Sequence, residues 1–445
     1  MTEFEVNPKI VDLIVEHEHK MLDGASPFTS IEFFPPRTED GKKVSLQFVK
    51  QVMHEISAIK VPVVQLTYFW LMVKSLYARM ERMLVNTSPL FSDITWGAGG
   101  STADLSLEIA LHLKRTGHVS NLHMTCTNMD TTKLKSALAA AYEAGIRNIV
   151  ALRGDPPAGT VEWTAVEGGF NCALDLVKYI RSEFGNEFGI SVAGYPEGHP
   201  DSIELVEDLS TLTDSEKIRC SVREGKTYVC RDSSYIDEME YLQKKVEAGA
   251  DFVLTQMFFD TAVFEQFVKN CRAYNIKCPI IPGIMCITGY AGFHKMTGFC
   301  KTRVPESLNT RMNDIKDDPA AVKKFGIDYC LRMCKKLIEQ NSTPGLHFYT
   351  LNLESCLYGV TDGLGWTSGL SKRSANFDAD ATSMVAVGSA WARVGDTVKS
   401  IYGTGTVSHV DKITAMAVVT IETWTLAGGQ HPTAYLQRGS YEKIF

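Results

Sequence analysis

Residues 31–41 read IEFFPPRTEDG, and the carboxylate in that stretch, Glu32, lies inside an apolar run ending at two prolines. An ionised carboxylate among Ile31, Phe33 and Phe34 is costly to desolvate, so such a group tends to keep its proton. A carboxylic acid still protonated near neutral pH is what general-acid catalysis requires. The alternative is an edge strand with Glu32 facing water, because alternation sends Ile31 and Phe33 to the opposite face. The motif alone leaves both readings open.

Other polar residues end short apolar runs in the same way. Thr95 precedes the glycine-rich turn WGAGGST, His123 and Thr125 share one run, and Arg153-Gly154-Asp155 closes another before two prolines. GYPEGHPDS brings Tyr195, Glu197 and His199, and Gln256 sits in a sixth run. Each has a bland explanation: a strand histidine is commonly a hydrogen-bonded core residue, and a GAGG turn can be a tight corner. Five consecutive runs with polar ends are more than packing requires. In YIDEMEYLQKKVEAGA, Glu238, Tyr241 and Lys245 recur at helical spacing. They form either a solvated, salt-bridged face or an acceptor, an aromatic and a cation aimed at a ligand with ribose and phosphate groups. No metal-binding constellation is evident.

The elements that must position these residues alternate. Strand patterns fall at 30–34, 91–95, 122–127, 148–154, 189–195, 251–259, 279–285 and 346–351, and amphipathic helices at 131–144, 170–184, 235–248, 261–274 and 319–340. Glycine follows several helices directly before a strand, as in EAGIRNIV and EAGADFVLTQ. Eight such units predict an α/β fold, a closed (β/α)₈ TIM barrel, with chemistry at the C-terminal strand ends. No GxGxxG follows the first strand, which removes the Rossmann signature. The chain has 445 residues, 44% of them hydrophobic and 22% charged, and a net charge of −7, which argues against nucleic-acid binding. Eleven scattered cysteines with no CxxC pair, and an acidic helical N-terminus without signal features, suit a reducing, cytoplasmic setting. Cys330 and Cys334, four apart on a helix, read as core packing.

With these residues in view, the chain closely resembles the methylenetetrahydrofolate reductase family over most of residues 28–360. The resemblance rests on SIEFFPPRTEDG, DITWGAGGSTADLSLEIA, LHMTCTNM, GIRNIVALRGDPP, GYPEGHPDS, EAGADFVLTQMFFD, PIIPGIM and GLHFYTLN. It implies a TIM-barrel flavoprotein that binds FAD without a Rossmann fold and takes reducing equivalents from NADH or NADPH. Glu32 falls on the family's general acid, protonating the ring nitrogen of 5,10-methylenetetrahydrofolate. Asp155 falls on a carboxylate beside flavin and pterin, and Gln256 on the pterin partner. Thr95, His123, Arg153, Gly154, Asp155, Ala173, Tyr195, His199 and Lys245 fall on FAD-contacting positions. Glu238 and Tyr241 align with two more, where some relatives carry other residue types. Tyr290 and Tyr349 occupy aromatic positions near the folate or nicotinamide. Leu353 stands where bacterial relatives carry an arginine, so that residue's contacts do not transfer. The resemblance also implies a homo-oligomer of unread size, acting on a folate and on no nucleic acid or membrane. A different flavin barrel, such as a proline dehydrogenase, fits Glu32, Asp155 and Gln256 less well. A non-catalytic scaffold is the rival from another class.

The chain departs from the family pattern in three places. Residues 44–75 intervene between TEDG and LYARMERM, which adjoin in relatives. Their apolar part, 61–73, is too short for a span of about 20 residues and has an aggregation-prone profile. A lineage-specific element, a membrane or partner contact, and a retained intron are the open explanations, and sequencing the messenger RNA decides the third. A polar insertion at 203–233 predicts a surface excursion from the barrel, here taken as 1–361. A Ser/Gly/Asp-rich linker at 362–387 leads to 388–445, whose alternating strands and glycine turns predict a small SH3-like β domain. That tail could dock a peptide or protein partner. It stands where eukaryotic relatives often continue into an S-adenosylmethionine-binding domain, so inhibition by that metabolite is not expected.

Overall fold

The computed structural model describes residues 6–35, 63–96, 103–126, 131–154, 169–223 and 225–366, and then 396–400, 403–411, 416–421, 433–437 and 441–443. The chain divides into two compact units, Met1–Ala375 and Asn376–Phe445.

The strands of the first unit are β1 (Phe28–Phe33), β2 (Phe91–Ile94), β3 (Ser120–Thr125), β4 (Asn148–Leu152), β5 (Gly189–Gly194), β6 (Ile203–Val206), β7 (Ser221–Arg223), β8 (Lys226–Cys230), β9 (Phe252–Met257), β10 (Ile280–Met285) and β11 (Gly345–Tyr349). Eight of them close a parallel barrel in the order β1-β11-β10-β9-β5-β4-β3-β2. All eight sequence-predicted strands are barrel strands, with ends differing by a few residues. Strands buried on both faces explain the near-continuous apolar runs.

Alternation then sorts each strand. Ile31, Phe33, Ile94, Leu122, Met124, Ile149 and Ile284 face the surrounding helices in one large core. Phe28, Phe91, Val150, Phe252 and Ile281 fill the lower lumen, with Ile10 and Ile14 of the Ile10–Leu22 helix in the same cluster. That helix is tied across the barrel floor, since the Asn148 side chain accepts from the Ile10 amide at 2.7 Å and donates to the Pro8 carbonyl at 2.9 Å. A plugged floor leaves the C-terminal mouth as the accessible end.

The apolar part of the 44–75 insertion is helical from Val63, in a single 25-residue helix Val63–Thr87 that runs on through LYARMERM. Leu76, Met80, Met83 and Leu84 of that helix are buried in the outer core. Residues 44–62 lie outside the described residues. Among the described residues no helix is long and apolar enough to cross a membrane. The 203–233 insertion is more than a polar excursion: β6, β8 and β7 form a three-stranded antiparallel sheet over a small cluster of Val206, Leu212 and Val229. In the second unit, β12 (Thr397–Ser400), β13 (Gly403–Asp411), β14 (Met416–Ile421), β15 (Thr433–Gln437) and β16 (Tyr441–Lys443) make an antiparallel sheet in the order β15-β14-β13-β12-β16.

Candidate active site

Barrel closure decides where Glu32 points. The β1 register pairs Glu32 with Asp93 on β2, and β2 in turn pairs Asp93 with Asn121 on β3. Residues on the face opposite Ile31 and Phe33 therefore enter the lumen, and the edge-strand alternative is excluded because β1 is hydrogen-bonded on both sides. Glu32 is 4% exposed. The segment after β11 locks its backbone: Thr350 Oγ1 donates to the Glu32 carbonyl at 2.6 Å, and the Asn352 amide bridges both backbone groups of Phe34.

Around the Glu32 carboxyl the upper lumen is polar. His123 Nε2 is 3.8 Å from Glu32 Oε1 and donates to Asp93 Oδ2 at 2.9 Å. The other Asp93 oxygen accepts from Asn121 Nδ2 at 3.0 Å, and the same amide reaches Ser191 Oγ at 3.2 Å. His347 shares a 2.9 Å hydrogen bond with Ser30 through Nδ1, while its Nε2 stands 3.9 Å from Asp93 Oδ2. Tyr349 donates to the Thr255 carbonyl at 2.7 Å, across Gly283, where an added Cβ would lie 2.4 Å from the tyrosine ring. Gln256 is the penultimate residue of β9, its side-chain oxygen accepting from the Met257 amide at 2.9 Å.

Burial sets the protonation states. It pushes the Glu32 carboxyl up to about 8; the His123 charge opposes this and the Asp93 charge adds to it. Glu32 therefore carries its proton at neutral pH. For His123 burial favours the neutral ring, but the Asp93 hydrogen bond and charge, with the Glu32 charge, outweigh it and raise its pKa. Burial holds His347 at about 4, so that ring is neutral.

A second group lines the wall formed by β4, β5 and the Asp232–Glu247 helix. Lys245, 4% exposed, donates from Nζ to the Ala193 carbonyl at 2.9 Å and lies 4.8 Å from the centre of the Tyr241 ring. Burial brings the lysine down to about 8. The Tyr241 hydroxyl accepts from the Leu174 amide at 3.4 Å, beside Ala173 at the start of the Ala173–Phe184 helix. Glu238 accepts from Ser202 at 2.9 Å. Tyr195 packs edge-on to His199 at 4.7 Å, and Arg153 pairs with Asp201 at 3.0 Å next to the His199 ring. Gly154 turns the chain after β4 with φ +93°, and Thr95 follows β2, its amide bonded to the Phe33 carbonyl at 3.0 Å.

The structure thus brings Glu32, His123 and Tyr349 to the lumen, and Arg153, Ala173, Tyr195, His199, Glu238, Tyr241 and Lys245 to the wall beside it. Tyr290 begins the Tyr290–Phe299 helix after β10, its hydroxyl donating to Asn313 Oδ1 at 2.7 Å. Asp155 lies outside the described residues. Sequence reasoning missed Asp93, Asn121 and His347. The available signal was alternation, since Asp93 shares a strand face with Thr95, and His347 with Tyr349.

A closed parallel barrel with an apolar floor and a buried, partly charged mouth defines the protein as a (β/α)₈ barrel with its site at the C-terminal strand ends. Residues 68–365 match the family model described as methylenetetrahydrofolate reductase, and the chain belongs to that family. It is 45% identical over 337 residues to methylenetetrahydrofolate reductase (NADH) 1 of Arabidopsis thaliana, covering 76% of this chain and 48% of that protein. Against methylenetetrahydrofolate reductase (NADH) 1 of Zea mays it is 42% identical over 358 residues, 80% of this chain and 51% of that one. For methylenetetrahydrofolate reductase 2 of Saccharomyces cerevisiae the identity is 36% over 339 residues, 76% of this chain and 46% of that protein. The chain spans about half the length of these curated relatives.

Proposed function

We propose that the barrel reduces 5,10-methylenetetrahydrofolate to 5-methyltetrahydrofolate with NADH or NADPH, in a ping-pong sequence through FAD, as a cytoplasmic enzyme of one-carbon metabolism. The observation that carries this reading is the Glu32 carboxyl, buried at the barrel mouth and raised by that burial to about 8. Glu32 would donate its proton to the ring nitrogen whose bond to the methylene carbon breaks, leaving a 5-iminium cation. By the family resemblance Asp155 would balance the charge of the ring-opened cation, and Tyr349 and Gln256 would orient the pterin.

Bound FAD would supply the hydride carrier between nicotinamide and folate. The residues present suit such a group. Lys245 is a buried cation beside an aromatic ring, fit for a phosphate or a ribose edge. Trp96 Nε1 and Thr125 Oγ1 are buried at the ends of neighbouring strands with no hydrogen-bond partner among the described residues. Arg153, Tyr195, His199, Glu238 and Tyr241 would complete the wall that holds it, with Thr95, His123, Gly154 and Ala173 around it. A homo-oligomer is part of the same proposal, and a reducing compartment suits the eleven free cysteines.

The test is direct. Purified protein should be yellow, should be bleached by NADH or NADPH, and should regain its colour anaerobically on addition of 5,10-methylenetetrahydrofolate. A colourless protein that cannot be loaded with FAD, or a reduced flavin indifferent to the folate, would refute the reading.

A further inference from the structure

We propose that Asp93 is a positioning residue for the proton donor: it holds His123 as an imidazolium whose charge stabilises the carboxylate that Glu32 becomes. This rests on the reading of Glu32 as the general acid. In that step the Glu32 O–H bond breaks and an N–H bond forms on the folate. The ring C–N bond opens with its electron pair staying on that nitrogen, and the neighbouring nitrogen's lone pair forms the iminium. Glu32 is left negative until solvent returns a proton. A fully buried carboxylate is a poor product unless a cation faces it.

The cation is identified by elimination among the described titratable groups facing Glu32 from each packed strand. These are Asp93 on β2, His123 on β3, and His347 and Tyr349 on β11, with Tyr195 after β5 acting on Tyr349. Tyr349 has committed its hydroxyl to the Thr255 carbonyl. His347 is fully buried and bonded to a neutral serine hydroxyl. Among these described groups only the His123 ring is within hydrogen-bond distance of a carboxylate, at 2.9 Å against 3.9 Å for His347, and the same His123 nitrogen faces Glu32 at 3.8 Å. Asp93 is itself fully buried, and its other oxygen accepts from a neutral amide, that of Asn121. Each ion of the Asp93–His123 pair needs the other. With Glu32 protonated the cluster is electroneutral. Once Glu32 ionises, the imidazolium faces the new charge.

The two charges act on Glu32 in opposite senses, His123 more strongly than Asp93. That sets an order. In Asp93→Asn the ring loses its anchor and becomes neutral, so both influences vanish and Glu32 becomes a somewhat weaker acid. In His123→Gln the Asp93 charge remains alone, and Glu32 becomes the weakest acid of the three. A neutral, merely structural His123 predicts the reverse for Asp93→Asn, namely a stronger acid.

The experiment is an infrared pH titration of the protonated-carboxyl band that is missing in Glu32→Gln, on the full chain. It is run for the wild type, Asp93→Asn and His123→Gln, beside both half-reactions and a circular-dichroism check of folding. The band midpoint should rise by about 1–3 pH units in His123→Gln and by less in Asp93→Asn. The folate half-reaction at pH 7 should fall about tenfold in both, and by more than flavin reduction by the nicotinamide does. An unmoved midpoint in His123→Gln, or a lower one in Asp93→Asn, would overturn the proposal. If Asp93→Asn does not fold, His123→Gln decides by itself. A wild type inert to folate would remove the functional reading, and the infrared order would still decide the charge on His123.

Discussion

Glu32→Gln separates catalysis from stability in one substitution, because glutamine keeps the size and polarity of the protonated acid but cannot titrate. The folded protein holds the Glu32 carboxyl at about 8 against an ordinary 4.5. At 1.36 kcal/mol per pH unit, that difference amounts to about 5 kcal/mol between the two protonation states. The raised pKa means that the folded state binds the proton more tightly than the unfolded chain does. The stabilising contribution is therefore whole below about pH 4.5 and is lost progressively as pH rises to about 8. Glutamine escapes this loss. Wild type and variant should have similar thermal midpoints at pH 5, and the variant should melt higher at pH 8.5. Catalysis should move the other way: the folate half-reaction should lose about 10²–10⁴-fold, the usual worth of a general acid, while flavin reduction by the nicotinamide stays within a few fold. Differential scanning fluorimetry at the two pH values and stopped-flow absorbance of the flavin measure both effects. A wild-type-to-variant gap in midpoint that is the same at pH 5 and pH 8.5 would refute the burial argument. Equal loss of both half-reactions would refute the assignment of Glu32 as the proton donor.

Three further outcomes follow from neighbouring residues. Lys245→Met should raise the melting temperature at pH 7, since burial lowers this lysine from 10.5 to about 8 and so removes about 3 kcal/mol of stability as pH falls through that range; FAD affinity, measured by fluorescence titration, should drop at least about tenfold. Gly283→Ala would place a methyl 2.2 Å from the Thr255 carbonyl and 2.4 Å from the Tyr349 ring, so it should cost about 1–3 kcal/mol by chemical unfolding and raise the KM for the folate through the displaced tyrosine. Glu197, pushed up to about 8 by burial although the Arg303 amide donates to it at 2.9 Å, should behave like Glu32 in melting but not in catalysis: Glu197→Gln should melt higher than wild type at pH 8.5 and match it at pH 5, with the folate half-reaction intact.

The barrel was legible because its signals are local. A glycine closing a helix just before a β-branched run, repeated along the chain, needs no knowledge of distant contacts. The direction of Glu32 was not legible for the opposite reason. Alternation told that it opposes Ile31 and Phe33, but whether that face meets water or a lumen depends on β1 pairing with β11, some 317 residues away at Ser30 and His347. Asp93 and His347 escaped notice because each lies in a short strand whose sequence reads as ordinary core. Only the closed register sets them around His123. The sheet within the 203–233 insertion was not legible because Val206, Leu212 and Val229 are too few to stand out among its charges.

The lumen shows how the fold separates stability from chemistry along one axis. Its floor is phenylalanine and isoleucine, closed by Ile10 and Ile14, and this layer gains from every apolar atom buried. One layer higher the same close packing holds Glu32, Asp93 and His123, and Lys245 is buried in the adjoining wall. Burial works against two of these groups, raising the acid and lowering the lysine, so their charged forms are held in reserve at a cost to folding. A protein selected for stability alone would replace them with apolar side chains of similar volume, as buried ion pairs often permit. Their presence beside a firmly packed floor is what the proposed active site requires. It implies that Glu32→Gln and Lys245→Met should each raise melting temperature at pH 8.5 and pH 7 respectively while lowering function, a pairing of effects that residues kept only for packing would not produce.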